Sequence, residues 1–139
     1  MSSIDRFKAN ISGGGARANQ FRVILNTPPG IATGLPLGTS SFFIKAASLP
    51  GQTIPEITVN FRGCQLFLAG DRTFETWTTT ILNDTDFAIR NGMERWMNGI
   101  NDLDTNTGVT NVTDYTADMV VQQLDRDDTV LKQYTLTSC

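Results

Sequence analysis

The 139-residue sequence contains no histidine and only two cysteines, Cys64 and Cys139. Without histidine, a Ser-His-Asp or Cys-His catalytic group cannot form, and a Cys/His zinc site cannot be completed. The two cysteines lie far apart without metal-ligand spacing, which favours unpaired thiols that pack as small apolar groups. We therefore expect no enzymatic activity, no metal and no cofactor.

Charged residues are also scarce, at 18% of the chain against 40% hydrophobic residues. This is a globular composition with few charges for a lone monomer, so we expect much of the surface to face protein. Residues 1–72 hold seven basic and three acidic residues, whereas 73–139 hold four and eleven. The split is either chance or the mark of a subunit with two oppositely charged ends, which would favour head-to-tail association.

Long hydrophobic runs are absent as well. The longest, 42–44 and 66–69, fall far below the roughly 20 residues that cross a bilayer, and the N-terminus lacks the apolar region of a signal peptide. Lysines and arginines are scattered, and DNA affinity comes largely from neutralising phosphates. We expect a soluble protein made in the cytoplasm, without membrane insertion or sequence-specific DNA binding.

The best candidate for a metal site is the segment 102–106, Asp-Leu-Asp-Thr-Asn, whose spacing matches the first oxygen ligands of an EF-hand loop. The match then fails, because Thr107 replaces the required glycine and Thr113 replaces the closing glutamate. A polar connecting loop is the favoured interpretation.

Alternation of apolar and polar residues predicts an all-β protein. The predicted strands are 20–26, 42–47, 56–62, 65–69, 74–82, 115–124 and 130–136. One amphipathic helix is predicted from about 86 to 98, capped by a residue of 83–85, because apolar residues recur there at helical spacing. This pattern indicates a single domain, an antiparallel β-barrel or sandwich with one helix laid across it.

Two segments show no such periodicity. Residues 1–19 include Gly13, Gly14 and Gly15, which indicate a flexible arm rather than a phosphate-binding loop, since no Lys-Ser/Thr pair follows. Residues 27–41 are rich in proline and glycine and predict a long exposed loop.

The most specific part of the sequence is Ala-Gly-Asp-Arg-Thr-Phe at 69–74, followed by Trp77 and by Asn83-Asp84. It resembles the tail tube proteins of T-even-type contractile-tail bacteriophages. Lys-Ala-Ala-Ser-Leu-Pro at 45–50 resembles the strand end before that family's proline-rich turn. The similarity extends over roughly nine-tenths of the chain: Arg90, Trp96, Tyr115 and Tyr134 also follow the family order.

The resemblance implies a structural virion protein whose subunits form hexameric rings that stack into the inner tail tube. Its implied partners are other copies of itself, the tail sheath protein, and the baseplate and tail terminator proteins. DNA would pass through the lumen without specific binding, during sheath contraction. The protein would be assembled in the host bacterial cytoplasm and reside in the virion tail.

The resemblance also implies roles for individual residues. The expected core residues are Ile57, Val59, Phe61, Trp77, Ile81 and Trp96. Trp96 lies on the predicted helix, which is expected to cover one opening or face of the barrel with Met97 beside it. The arm with Gly13, Gly14 and Gly15, and the loop with Pro28, Pro29 and Gly30, are expected to contact neighbouring rings. Asp71 and Arg72 either bind a group of the same or an adjacent subunit or form an ordinary exposed turn pair.

Two alternative functions remain open at this point. The first is the related tube of a secretion system or phage-derived bacteriocin, which the neighbouring genes would distinguish. The second is a small carbohydrate-binding β-sandwich that uses Trp77, Trp96 and Tyr115 as stacking platforms. The family's chains continue with a further strand pair beyond the strand that ends here at Leu136, so we expect that this sequence is truncated.

Overall fold

The computed structural model describes residues 3–139, except for the side chains of Ser12, Thr39 and Phe42. Its helices are α1 Ser3–Asn10, α2 Leu37–Ser40, α3 Ala88–Ile100 and α4 Val112–Tyr115. Its strands are β1 Phe21–Leu25, β2 Ile44–Ala47, β3 Gln52–Thr53, β4 Glu56–Phe61, β5 Cys64–Ala69, β6 Thr73–Phe74, β7 Thr79–Ile81, β8 Met119–Leu124 and β9 Val130–Leu136.

The largest sheet has three antiparallel strands in the order β1-β8-β9, with Val121 opposite both Val23 and Tyr134. Alternation places one face of β1 inside, so Val23 and Leu25 are almost fully buried. They form the first core cluster with Ile44 and Val121, and Trp77 and Ile81 pack against its edge. The predicted mainly β architecture is confirmed.

The second core cluster lies under α3, whose apolar residues recur at helical spacing. Its buried members are Leu35, Ile89, Trp96 and Ala117. The Trp96 indole nitrogen donates a hydrogen bond to the carbonyl of Tyr115 at 2.7 Å, which satisfies its polar atom inside the core. Ile81 packs against both clusters and therefore joins them.

The segment 27–41 corrects our expectation of a long exposed loop. Thr33 and Ser40 are about as buried as any residue described, and Leu35 belongs to the second core. The close approach depends on Gly92 of α3, where an added Cβ would lie 2.7 Å from the Leu35 side chain. Proline and glycine remove regular hydrogen bonding, but they leave the segment free to pack.

Three predicted elements have different bounds in the structure. The stretch 74–82 forms β6 and β7 with irregular backbone between them, and 115–118 precede β8 because α4 occupies 112–115. Helix α3 begins after Phe87, whose backbone is left-handed at φ 49°, and no side chain caps it. Asp84 instead accepts a hydrogen bond from the amide of Thr85.

The remaining strands pair two by two, as β2-β7, β3-β6 and β4-β5. The strands of residues 3–139 therefore do not close into a barrel within one chain. Short helical segments also accompany α3, which was the only helix predicted. Along the part of the chain that the structure describes, no helix has the length and apolar character needed to cross a membrane.

Candidate functional site

The most unusual surface is the hairpin of β4 and β5, which we call the ribbon (residues 56–69). Its register pairs Ile57 with Leu68, Val59 with Leu66 and Phe61 with Cys64. Paired residues of an antiparallel hairpin point to the same side, so these six form one continuous apolar face. The opposite face carries mostly polar residues: Glu56, Thr58, Asn60, Gln65, Phe67 and Ala69.

The ribbon is exposed along its whole length. Ile57 is 50% exposed, Val59 41% and Phe61 66%. The prediction that these three belong to the core was therefore wrong, because no other element among residues 3–139 covers their face. Trp96 lies in the core, whereas Met97, expected beside it, is 69% exposed.

A tight turn fixes the register of the ribbon. Arg62 and Gly63 both have positive φ, 48° and 83°, which is the conformation of a type I′ two-residue hairpin turn. At the other end, the amide of Gly70 donates to the carbonyl of Pro55 at 2.7 Å. The apolar face is thus held in shape, although a lone two-stranded hairpin is at best marginally stable in water.

A second exposed apolar feature lies in the N-terminal segment. Helix α1 occupies much of the region predicted as a flexible arm, and none of its residues is buried. Ile4 and Phe7 are exposed by 63% and 65%, and Ile11 continues the same stripe one turn later. The Ile11 amide donates to the carbonyl of Phe7, so the helical turn extends to that residue.

A third feature is an open apolar groove of about 370 Å³ beside α3. It is lined by Met93, Trp96, Met97, Ile100, Tyr115, Thr116 and Cys139. Burial, and to a lesser degree the negative charge of Asp118, raise the pKa of the Cys139 thiol. None of the lining residues is Asp, Glu, Lys or Arg.

The other predicted contact residues fall in different places. Pro28 is buried, and Gly30 donates its amide to the carbonyl of Asp114 at 2.9 Å, so this part of the loop is anchored within the chain. Pro29 remains exposed. Gly13, Gly14 and Gly15 follow α1 with φ near 80°, a backbone that glycine adopts without strain.

Asp71 and Arg72 lie exposed between β5 and β6, at the base of the ribbon. Neither forms an ion pair with any residue among 3–139. The structure does not bring them together with the predicted contact loop or the glycines of the arm. Their role in binding a neighbour stays a prediction.

The residues proposed as sugar-stacking platforms do not form one. Trp96 is buried, and Trp77 is half-buried with its indole nitrogen donating to the carbonyl of Ser48 at 2.7 Å. Tyr115 lies at the end of α4, against the Trp96 indole. The indole groups therefore serve packing and hydrogen bonding rather than an exposed aromatic surface.

The candidate calcium loop is organised by its own hydrogen bonds. Asp102 accepts from the Asp104 amide at 3.2 Å and from the Thr105 hydroxyl at 3.1 Å. Its backbone pairs with Asn106 and Thr107. Among the described residues, no group of three or more Cys, Asp or Glu side chains is placed to hold a metal ion.

Sequence reasoning expected the N-terminal arm to contact neighbouring rings but missed its helix, and it missed the ribbon face and the groove as surfaces for assembly. The ribbon was recognised as two strands, but its alternation was taken to mean burial within the chain. The helical spacing of Ile4, Phe7 and Ile11 was readable, yet the glycines that follow dominated the interpretation. The groove had no local signal, because its lining comes from three separate segments.

Comparison with known proteins identifies relatives along nearly the whole chain. The family model described as phage tail tube protein matches residues 16–139. A tail tube protein of Serratia phage KSP90 is 30% identical over 138 residues, which cover 98% of this chain and 78% of the relative.

Two further relatives are tail tube proteins gp19. That of Enterobacteria phage T4 is 34% identical over 93 residues, covering 66% of this chain and 52% of the relative. That of Enterobacteria phage T6 is 31% identical over 131 residues, covering 93% and 75%. The ribbon and the core elements around α3 lie within the region that the family model matches.

Proposed function

Since this chain belongs to the phage tail tube protein family and is a structural component of the virion tail, we propose that its subunits associate through the apolar face of the ribbon, form hexameric rings and stack into the inner tail tube. The tube is assembled in the host cytoplasm within a contractile sheath. It contacts the sheath, baseplate and terminator proteins, and DNA passes through it without specific binding. The protein catalyses nothing.

The observation that carries this proposal is the uncovered apolar face of residues 57, 59, 61, 64, 66 and 68. Covering a half-exposed aliphatic side chain stabilises an interface by about 1 kcal/mol. Several such residues in one rigid strip therefore favour association strongly, and an apolar strip with free strand edges invites a neighbouring sheet. A second copy fits this requirement because the family's shared product is a tube.

The non-catalytic role is supported by the chemistry of the chain. The sequence has no histidine. Asp127 and Asp128 at the hairpin tip are exposed, and the hydroxyl of Thr129 lowers the pKa of Asp127, which makes it a poor proton donor near neutral pH. These properties suit a passive conduit.

The test compares two substitutions on the same strand. Val59→Asp places a charge on the apolar face, whereas Thr58→Asp places the same charge on the polar face next to it. Both positions are exposed, so each variant should unfold within about 0.5 kcal/mol of the wild type in urea. In sedimentation and negative-stain microscopy, wild type and Thr58→Asp should form rings or tubes, and Val59→Asp should remain monomeric.

Two results would count against the proposal. If wild-type protein at high concentration gave neither rings nor tubes, the self-assembly proposed for this chain would be wrong. If Val59→Asp assembled as well as Thr58→Asp, the ribbon face would not be the contact surface.

A further inference from the structure

We propose that helix α1 of one copy docks its apolar stripe into the groove beside α3 of the next copy along the tube. This inference rests on the proposed function, since it names the contact that joins successive copies. It assigns an occupant to the groove and a role to the stripe of Ile4, Phe7 and Ile11. The ribbon contact described above is a separate surface.

The first argument is that both surfaces are apolar and that no element among residues 3–139 covers either of them. The stripe runs from Ile4 to Ile11, which is seven helical steps or about 10 Å, and the groove follows α3 from Met93 to Ile100, which is the same length. Met97 and Ile100 remain substantially exposed at the groove, as Ile4 and Phe7 do on α1. An amphipathic helix that lies in an apolar groove is a common mode of recognition.

The second argument is the position of the two surfaces on the β8-β9 hairpin. The N-terminal segment is held at the turn end, where Gln123 donates to the carbonyl of Arg17 at 2.6 Å and Gly14 lies near Arg126. The groove lies at the open end, where Ala117 and Cys139 exchange two backbone hydrogen bonds. The seven residues between these ends span roughly 20 Å.

A subunit with the inserting element at one end and the receiving groove at the other is suited to head-to-tail stacking. Such an interface is heterologous, and it propagates without limit when successive copies are related by a translation along an axis. Within one chain, α1 would instead have to leave the turn end and cross the length of the hairpin.

The third argument is charge. The segment 97–118, which supplies four of the seven residues that line the groove, contains four aspartates and no basic residue. Residues 3–17 contain Arg6, Lys8 and Arg17 against the single acid Asp5. The docking therefore brings a basic segment towards an acidic one, which favours the correct orientation on encounter.

Cross-linking tests the proposal with a thiol that the groove already contains. The background is Cys64→Val, which keeps an apolar side chain on the ribbon face and is itself checked for tube formation; its remaining native thiol is Cys139, at the groove wall. Ile4→Cys and Ile11→Cys each add one thiol at an end of the stripe, and Phe7 is retained. The matched control is Ala9→Cys, which lies on the opposite face of the same exposed helix.

Each variant is assembled, checked by microscopy, treated with a short bismaleimide and separated on a denaturing gel. In assembled tubes, at least one stripe variant should give a ladder of covalent multimers. Its yield should exceed that of Ala9→Cys by about fivefold, because a helix diameter of about 10 Å places position 9 on the far side.

The possible failures are distinguishable. Tubes without a ladder from either stripe variant would overturn the α1 docking while leaving the proposed function intact. A cross-linked monomer without multimers would show that α1 occupies its own groove, which also overturns the inference. A lack of tubes in all variants and in the wild type would instead refute the proposed function.

Discussion

Strands β1 and β4 both place apolar residues at alternate positions, yet these residues meet opposite environments. In β1, Val23 and Leu25 alternate with Arg22 and Ile24 and are 0% and 2% exposed. In β4, Val59 occupies an equivalent alternating position and is 41% exposed. The difference shows that alternation specifies a face that must be covered, but not which chain covers it. In the proposed assembly, the same pattern serves both the core and the interface.

The largest expected effect on the stability of the single chain comes from the packed region. Trp96→Ala removes a buried indole and its hydrogen bond to the Tyr115 carbonyl. We expect a loss of about 3 to 5 kcal/mol in the free energy of unfolding, measured by urea denaturation of the monomer. The matched variant in the ribbon, Phe61→Ala, should lose less than about 1 kcal/mol because Phe61 is already 66% exposed.

Equal losses from the two substitutions would contradict the distinction between the regions. A large loss at Phe61 would mean that the ribbon folds back onto the monomer in solution. A small loss at Trp96 would mean that the second core cluster contributes little to folding.

Local sequence patterns predicted the secondary structure of the packed region better than they predicted its tertiary contacts. The strands near 20–26 and 130–136 and the helix near 86–98 could be predicted because each has a period that only one secondary structure satisfies. The burial of 27–41 could not, since it depends on tertiary packing against the flat face that Gly92 and Gly99 give to α3. Those glycines are seven residues apart and hence on one face of the helix. This spacing is visible in the sequence and could have indicated close packing against that face.

The candidate surfaces illustrate the same limit. Residues 57, 59 and 61 were correctly placed on one face of a strand, but their role as core residues of the single chain was wrong. No local sequence property distinguishes a strand whose apolar face packs within its own chain from a strand whose apolar face packs against another subunit. Only the arrangement of the other elements shows that none of them covers the ribbon.

A smaller effect is expected from the turn of the ribbon. Gly63 has φ 83°, so Gly63→Ala forces a side chain into a backbone region that costs about 1 kcal/mol. Because the ribbon lies apart from both core clusters, the thermal midpoint of the monomer should stay unchanged while the ribbon amides exchange hydrogen about fivefold faster. The concentration needed for assembly should rise by a similar factor.

Gly38→Ala is the control for that change. Gly38 lies in α2 and has no atom within 4 Å of an added Cβ and no positive φ, so alanine should be accepted there. Faster exchange throughout the molecule in Gly63→Ala would show that the ribbon folds cooperatively with the core.

The smallest expected effect is a change in the alkylation rate of one of the two cysteines. Cys64 lies on the ribbon face, whereas Cys139 lies at the groove, where burial and the charge of Asp118 raise its thiol pKa. Asp118→Asn removes the charge but keeps an oxygen that can accept from the Ser138 amide. The Cys139 pKa should then fall, the thiolate fraction at pH 8 should rise, and alkylation should accelerate by up to about twofold.

Mass spectrometry can follow the alkylation of both cysteines at once, with Cys64 as the internal reference. A parallel change at Cys64 would show that the substitution disturbs the whole chain, whereas an unchanged rate at Cys139 would show that burial alone sets its reactivity.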